Sequence, residues 1–241
     1  MSSQIDNPVD DLRSRIGLVQ EKIYEAAVRA GRDPGEIELI AVTKSVDARM
    51  IELAGQAGIK TVGENRAQDL LAKRPLVAAP LRWHFIGTLQ RNKVRSLIGR
   101  VELIHSLDRI SLAEEISAQS TAAGVSTAVL VQVNLSGETT KQGLAREQVL
   151  PFLEKVSALP GLCIKGLMTI APLGPPAGAR EVFQAARQLA EQVKREKLPG
   201  VEMAHLSMGM TNDYETAVEE GSTMVRIGTA IFGPRSKPAK E

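Results

Sequence analysis

Aromatic residues make up only 3% of this 241-residue chain, histidine occurs three times, cysteine once, and the formal net charge is only +2. So few rings leave no platform on which single-stranded bases could stack. A near-neutral balance, with Lys and Arg spread along the chain, lacks the clustered basic surface that a phosphate backbone requires. No nucleic-acid role is therefore expected. A single cysteine excludes an intrachain disulfide, and Cys163, between Leu162 and Ile164, reads as a small core residue rather than a nucleophile. No stretch approaches the roughly 18 consecutive apolar residues of a membrane span. The opening MSSQIDNPVDDLRSR also lacks the basic and apolar regions of a secretory signal. A soluble, cytoplasmic protein is the expectation.

Hydrophobic residues at 43% and charged residues at 24% suit a globular domain with a sizeable core. No linker or low-complexity stretch divides the chain, so residues 1–241 are expected to form one domain, with 1–9 and 236–241 disordered. From Ile37 onward, short apolar runs alternate with amphipathic stretches. Eight strands are expected: Ile37–Lys44, Lys60–Glu64, Arg82–Ile86, Val101–Ser106, Ala128–Asn134, Cys163–Ile170, Glu202–Ser207 and Met224–Ile227. Near-continuous apolarity, as in AVLVQV, marks parallel strands buried on both faces. Helical spacing covers Val46–Ala57, Asp108–Ala123 (with Asp108 as N-cap) and Ala177–Arg195. This alternation predicts an α/β fold, a single (β/α)8 TIM-type barrel. An additional helix, Asp10–Gly31, carries a stripe of Leu12, Ile16, Val19, Ile23 and Ala27. It is expected to pack outside the barrel where a final helix would sit.

Barrel active sites form at the C-terminal ends of the strands. Lys44 closes the first apolar run, and partial desolvation there favours the neutral amine that a Schiff base needs. The plainer alternative is a lysine marking the strand's exit into solvent. Strands seven and eight deliver Ser207-Met208-Gly209-Met210 and Arg226-Ile227-Gly228-Thr229, the place where such barrels commonly bind phosphate. Gly209 and Gly228 permit close backbone approach, Ser207 and Thr229 offer hydroxyls, and a helix near Asn212 would aim N–H groups at an anion. His84, His105 and His205 all fall in expected strands; core or rim hydrogen bonding suits them better than metal ligation. Trp83 reads as packing, and Asp213 and Glu215 as charges at a helix start.

The segments AVTKS, VGENRAQDL, WHFIGTLQRNK, IHSLDR, VNLSGETTKQG, GLMTIAP, LSMGMTNDY and RIGTAIFG, in order from Ile37 to Arg235, resemble the pyridoxal phosphate homeostasis protein family. The resemblance implies the alanine-racemase-like N-terminal domain, a barrel of fold type III, that carries pyridoxal 5′-phosphate (PLP) without an established catalytic activity and acts in intracellular vitamin B6 homeostasis. It makes Lys44 the Schiff-base lysine. It gives Ser207, Arg226, Gly228 and Thr229 the phosphate and ring, Asn65 a place near the ring substituents, and His84, Met168 and Met210 places in the pocket. Lys141 matches a second lysine on a loop, and Gln142 stands where the family often has serine. If Arg226 faces the pyridine nitrogen, its charge keeps that nitrogen unprotonated and weakens the ring as an electron sink. Racemases of this barrel type add a second domain and a tyrosine base from a partner subunit; Tyr24 and Tyr214 are the only tyrosines here. A monomeric PLP carrier that hands the cofactor to apo PLP-dependent enzymes is the leading expectation. A minimal amino-acid racemase-like enzyme is the alternative, and an aldolase-type lysine acting on a sugar phosphate is a third reading.

Overall fold

The computed structural model describes residues 8–138, 142–172, 174 and 176–234. All eight apolar runs form strands: β1 (Glu38–Val42), β2 (Thr61–Glu64), β3 (Arg82–Phe85), β4 (Leu103–Leu107), β5 (Thr127–Gln132), β6 (Leu162–Met168), β7 (Val201–Ser207) and β8 (Met224–Ile227). They pair in parallel and in sequence order, and β8 returns to β1, which closes the barrel. The expected architecture is the observed one. Four strands end earlier than their apolar runs suggest, β3 by a single residue at Phe85. β1 stops at Val42, β5 at Gln132 and β6 at Met168, because the following residues turn into the loops that build the barrel mouth.

Apolar side chains of the strands face outward into a core shared with the helices: α1 (Pro8–Arg29), α2 (Ala48–Gln56), α3 (Ala67–Lys73), α4 (Val94–Leu97), α5 (Ile110–Ala122), α6 (Val149–Val156), α7 (Pro176–Glu196), α8 (Tyr214–Glu219) and α9 (Thr229–Phe232). A second, smaller cluster of Ile40, Leu103, Leu130, Met168 and Met224 fills the barrel interior. The stripe of α1 (Leu12, Ile16, Val19, Ile23 and Ala27) is buried against α2, α8 and α9. The additional helix thus occupies the place of a last barrel helix, as its pattern predicts. Pro8 and Val9 stand in its first turn rather than in a disordered start, since proline suits an N-terminal turn where no N–H partner is needed. Asp108 is not the cap of α5. That helix begins at Ile110 after Arg109, and the Asp108 carboxylate instead accepts from the Arg109 guanidinium at 2.5 Å. Among the described residues, no helix is long and apolar enough to cross a membrane.

Candidate functional site

Lys44 leaves β1 in a tight turn. The N–H of Val46 donates to the Thr43 carbonyl at 3.0 Å, and Ser45 adopts a φ of +64°, a left-handed conformation that side chains with a Cβ adopt at some cost. Two contacts from behind hold this turn. Lys73 of α3 donates to the Thr43 carbonyl at 3.0 Å and to Glu64 Oε1 at 2.7 Å, and the Thr43 hydroxyl donates to the same oxygen at 2.8 Å. Glu64 is fully buried between barrel and helices. The backbone just before Lys44 is therefore clamped by an ion pair.

Beyond this turn a cavity of about 820 Å³ opens at the C-terminal mouth of the barrel. Lys44 lines it together with Asn65, Met168, Met210, Arg226, Gly228 and Thr229. These are seven of the residues singled out in the sequence, brought together from β1, β2, β6, β7 and β8. Lys44, Gly228 and Thr229 also border a smaller groove of about 190 Å³ between the β1 turn, α2 and α9. The other candidates do not line the cavity. His84, Ser207, Met208, Gly209 and Ile227 are buried beneath or behind its wall. Lys141 lies outside the described residues.

Arg226 is buried, yet its guanidinium reaches the cavity wall. It donates to Ser207 Oγ at 2.6 Å and to the Thr169 carbonyl at 3.0 Å. Burial pushes its pKa down to about 10, partly offset by Asp213, so the group stays cationic at neutral pH. Ser207 Oγ also lies 3.0 Å from His105 Nδ1, and His105 Nε2 lies 3.1 Å from His84 Nδ1. Burial holds both imidazoles neutral, pushing His84 down to about 3 and His105 well below the usual value. The Ser207 hydroxyl is thus committed to the barrel interior and to Arg226.

The loop after β7 passes through Gly209 at φ +93°, and a Cβ there would stand 2.5 Å from the Ala217 Cβ. The Met210 N–H is taken by the Asp213 carboxylate at 2.5 Å, whose pKa is raised by burial. The helix expected near Asn212 starts at Tyr214. After β8, Thr229 and Ala230 open the short α9, and their N–H groups have no acceptor within that helix. One wall therefore offers an amine, another a buried guanidinium, and the loop after β8 a hydroxyl and backbone donors. That donor set fits a small aldehyde carrying a phosphate.

The family model of the alanine racemase N-terminal domain matches residues 16–236. A pyridoxal phosphate homeostasis protein of Aquifex aeolicus is 44% identical over 223 residues, covering 92% of this chain and 97% of its own. The chain belongs to the pyridoxal phosphate homeostasis protein family. PipY of Synechococcus elongatus, solved with PLP bound, has a TM-score of 0.81 at 33% identity, covering 92% of this chain and 100% of its own. An alanine racemase of Clostridium difficile shares the fold, with a TM-score of 0.73 at 14% identity over 96% of this chain and 58% of that one.

Several residues of this homeostasis-family cavity lie within the quoted segments, yet the sequence assigns them no contact. Gly87 lines it and packs so tightly that a Cβ would stand 2.1 Å from the Asn65 carbonyl oxygen. Thr88 donates to the Gln142 side chain, and the Gln132 amide donates to the Gln142 carbonyl at 3.3 Å, which ties the loop after β3 to the end of β5 and the loop that follows it. The segments WHFIGTLQRNK and VNLSGETTKQG contain Gly87, Thr88 and Gln142, but their spacing does not show that they meet.

Proposed function

We propose that the chain binds PLP reversibly at the barrel mouth, with Lys44 as the amine that engages its aldehyde, and serves to hold and hand on the cofactor inside the cell. The observation that carries this reading is the convergence of Lys44, Arg226 and Thr229 on one cavity of about 820 Å³. The names of its relatives and the PLP-bound PipY support the same ligand. When bound, PLP would supply an electrophilic aldehyde and a conjugated ring. Lys44 would provide the nucleophile, the α9 N–H groups and the Thr229 hydroxyl would orient the phosphate, and Arg226 would present a fixed cation to the ring edge.

Custody of the cofactor, rather than amino-acid chemistry, fits the proton acceptors of the site. A racemase needs a second base opposite its lysine. Among the described residues lining the cavity, the only carboxylate is Asp213, which already accepts the Met210 N–H. Tyr214 is buried outside the cavity and its phenol is pushed up to about 12 by burial, which makes it a poor base at neutral pH. Recipients would be apo enzymes that use PLP. The carrier is proposed to act as a monomer.

The test is the visible spectrum of the purified protein with added PLP, before and after borohydride, for wild type and Lys44→Ala. A band that borohydride fixes on Lys44 and that the variant lacks is expected. A wild type without such a band overturns the reading. Exchange of the α-hydrogen of added amino acids in heavy water would instead establish an enzyme.

A further inference from the structure

The interior of a (β/α)8 barrel is ordinarily filled by layers of branched apolar side chains. Here its upper half holds a continuous polar chain: Arg226 to Ser207 at 2.6 Å, Ser207 to His105 at 3.0 Å and His105 to His84 at 3.1 Å. All four residues are 5% exposed or less. Among the described residues, Arg226 has no carboxylate within ion-pair distance, and Asp213 acts on it only from farther away. A buried guanidinium without a counter-ion must be solvated by oriented dipoles instead. We propose that His105 and His84 are positioning residues of the cofactor site: acting through Ser207, they hold the Arg226 guanidinium at one place and in one orientation on the cavity wall.

The proton inventory sets the polarity of this chain. Arginine only donates, so Ser207 Oγ accepts from it. The single hydroxyl proton of Ser207 then points to His105 Nδ1, which must be bare. His105 therefore carries its proton on Nε2 and donates it to His84 Nδ1, leaving the His84 proton on Nε2. That atom is buried and has no hydrogen-bond partner. The reverse polarity would aim two donors at one serine oxygen and strand the serine proton. In the polarity assigned here, every link presents a lone pair toward the cation. Neutral imidazoles are required, because a charged His105 would sit one residue behind Ser207 and repel Arg226; burial keeps both rings neutral. The Thr169 carbonyl fixes the other guanidinium nitrogen at 3.0 Å, so the fork is held at two points.

The inference rests on the reading of the cavity as a PLP site, and its test separates the two. In the full-length protein without PLP, nitrogen NMR of the imidazoles is expected to show His105 bare at Nδ1 and protonated at Nε2. With Ser207→Ala the Arg226 side-chain nitrogen signals are expected to shift. PLP is then titrated into wild type, His105→Phe, His105→Asn and Ser207→Ala. His105→Phe and Ser207→Ala should weaken PLP on the order of tenfold, the loss of one hydrogen bond to a charged group, and displace its visible band. His105→Asn, whose amide can accept from Ser207 and donate to His84, should restore both. A proton on His105 Nδ1, or a wild-type band and affinity in His105→Phe and Ser207→Ala, would overturn the proposal even where melting temperature falls. A wild type that binds no PLP removes the cofactor reading alone; the nitrogen signals then still decide whether the chain orients Arg226. If His105→Phe does not fold, Ser207→Ala and His105→Asn carry the same decision.

Discussion

The ammonium of Lys73 lies 2.7 Å from Oε1 of Glu64, a carboxylate with no solvent exposure at all, and the second oxygen of that carboxylate has no partner. Lys73 is itself only 16% exposed. Removing one member of such a pair strands the other's charge in a medium that cannot solvate it. Lys73→Met is therefore expected to lower stability by about 3 kcal/mol, roughly 6–12 °C in Tm for a chain of this size. Adding Glu64→Gln removes the stranded charge and should recover much of the loss. Thermal melts of the three variants check this; a Lys73→Met protein melting within about 2 °C of wild type would show that the pair contributes no net stability. Because Lys73 also holds the Thr43 carbonyl, the same variant should bind PLP more weakly, by loosening the turn that carries Lys44.

Stability should fall on mild acidification. His84 and His105 remain neutral in the folded protein, with His84 pushed down to about 3. In the unfolded chain both rings bind protons as the pH drops below about 6.5. The unfolded state then holds more protons, so the folded state loses stability as pH falls, across a window from about 6.5 down to the depressed folded values. With two such rings the loss between pH 7.5 and 5.5 is about 3 kcal/mol. Urea unfolding at these two pH values measures it, above the range where most carboxylates titrate. An unchanged unfolding free energy would mean that the two rings are protonated in the folded barrel.

Much of this architecture is legible in the sequence, for a physical reason. Parallel strands covered on both faces read as near-continuous apolar runs, and Ala128–Val133 admits few other readings. The position of Lys44 after such a run, and of glycines after the last two strands, places the mouth of the barrel. Side-chain direction inside the barrel is less legible. Ser207 sits beside Gly209 in a loop motif suited to phosphate, yet as the last residue of β7 its side chain points inward to Arg226 and His105. That pairing spans 102 positions of sequence, from β4 to β7, and depends on barrel closure that no local pattern encodes. Asp108 fails as a cap because the adjacent Arg109 takes its carboxylate. Four-residue helices such as α4 and α9 barely exceed one turn of about 3.6 residues, so no repeat is present for periodicity to reveal.

Gly209 should not tolerate alanine. Its φ of +93° disfavours any Cβ, and the added atom would meet Ala217 Cβ at 2.5 Å and Tyr214 Cα at 3.0 Å, both on α8. Gly99, at φ +71°, provides the control, since a Cβ there meets nothing within 4 Å. Gly99→Ala is expected to cost about 1 kcal/mol from backbone strain alone. Gly209→Ala adds the displacement of α8, for a total of about 3 kcal/mol, and should weaken PLP binding as the loop after β7 shifts. Equal melting temperatures for the two variants would show that α8 moves aside freely.

Finally, α1 acts as a structural part of the barrel rather than an appendage. Ile16 is 2% exposed, whereas Leu18, two residues along the same helix, is 58% exposed. Arg32, just past the helix, donates to the carbonyls of Val218 at 2.6 Å and Ser222 at 2.9 Å, which ties the end of α1 to α8 and to the turn that follows it. Truncating Ile16 leaves a cavity in a site anchored on both sides and unable to collapse freely, so Ile16→Ala should cost about 3 kcal/mol. Leu18→Ala removes surface already in water and should stay within about 0.5 kcal/mol of wild type. Because α8 also packs on the loop after β7, Ile16→Ala should reduce PLP affinity at a site on the far side of α8, and Leu18→Ala should not. Urea unfolding and PLP titration on the same two variants check both halves. Loss of stability at Ile16 with unchanged affinity would confine α1 to support of the fold, with no reach into the cofactor loop.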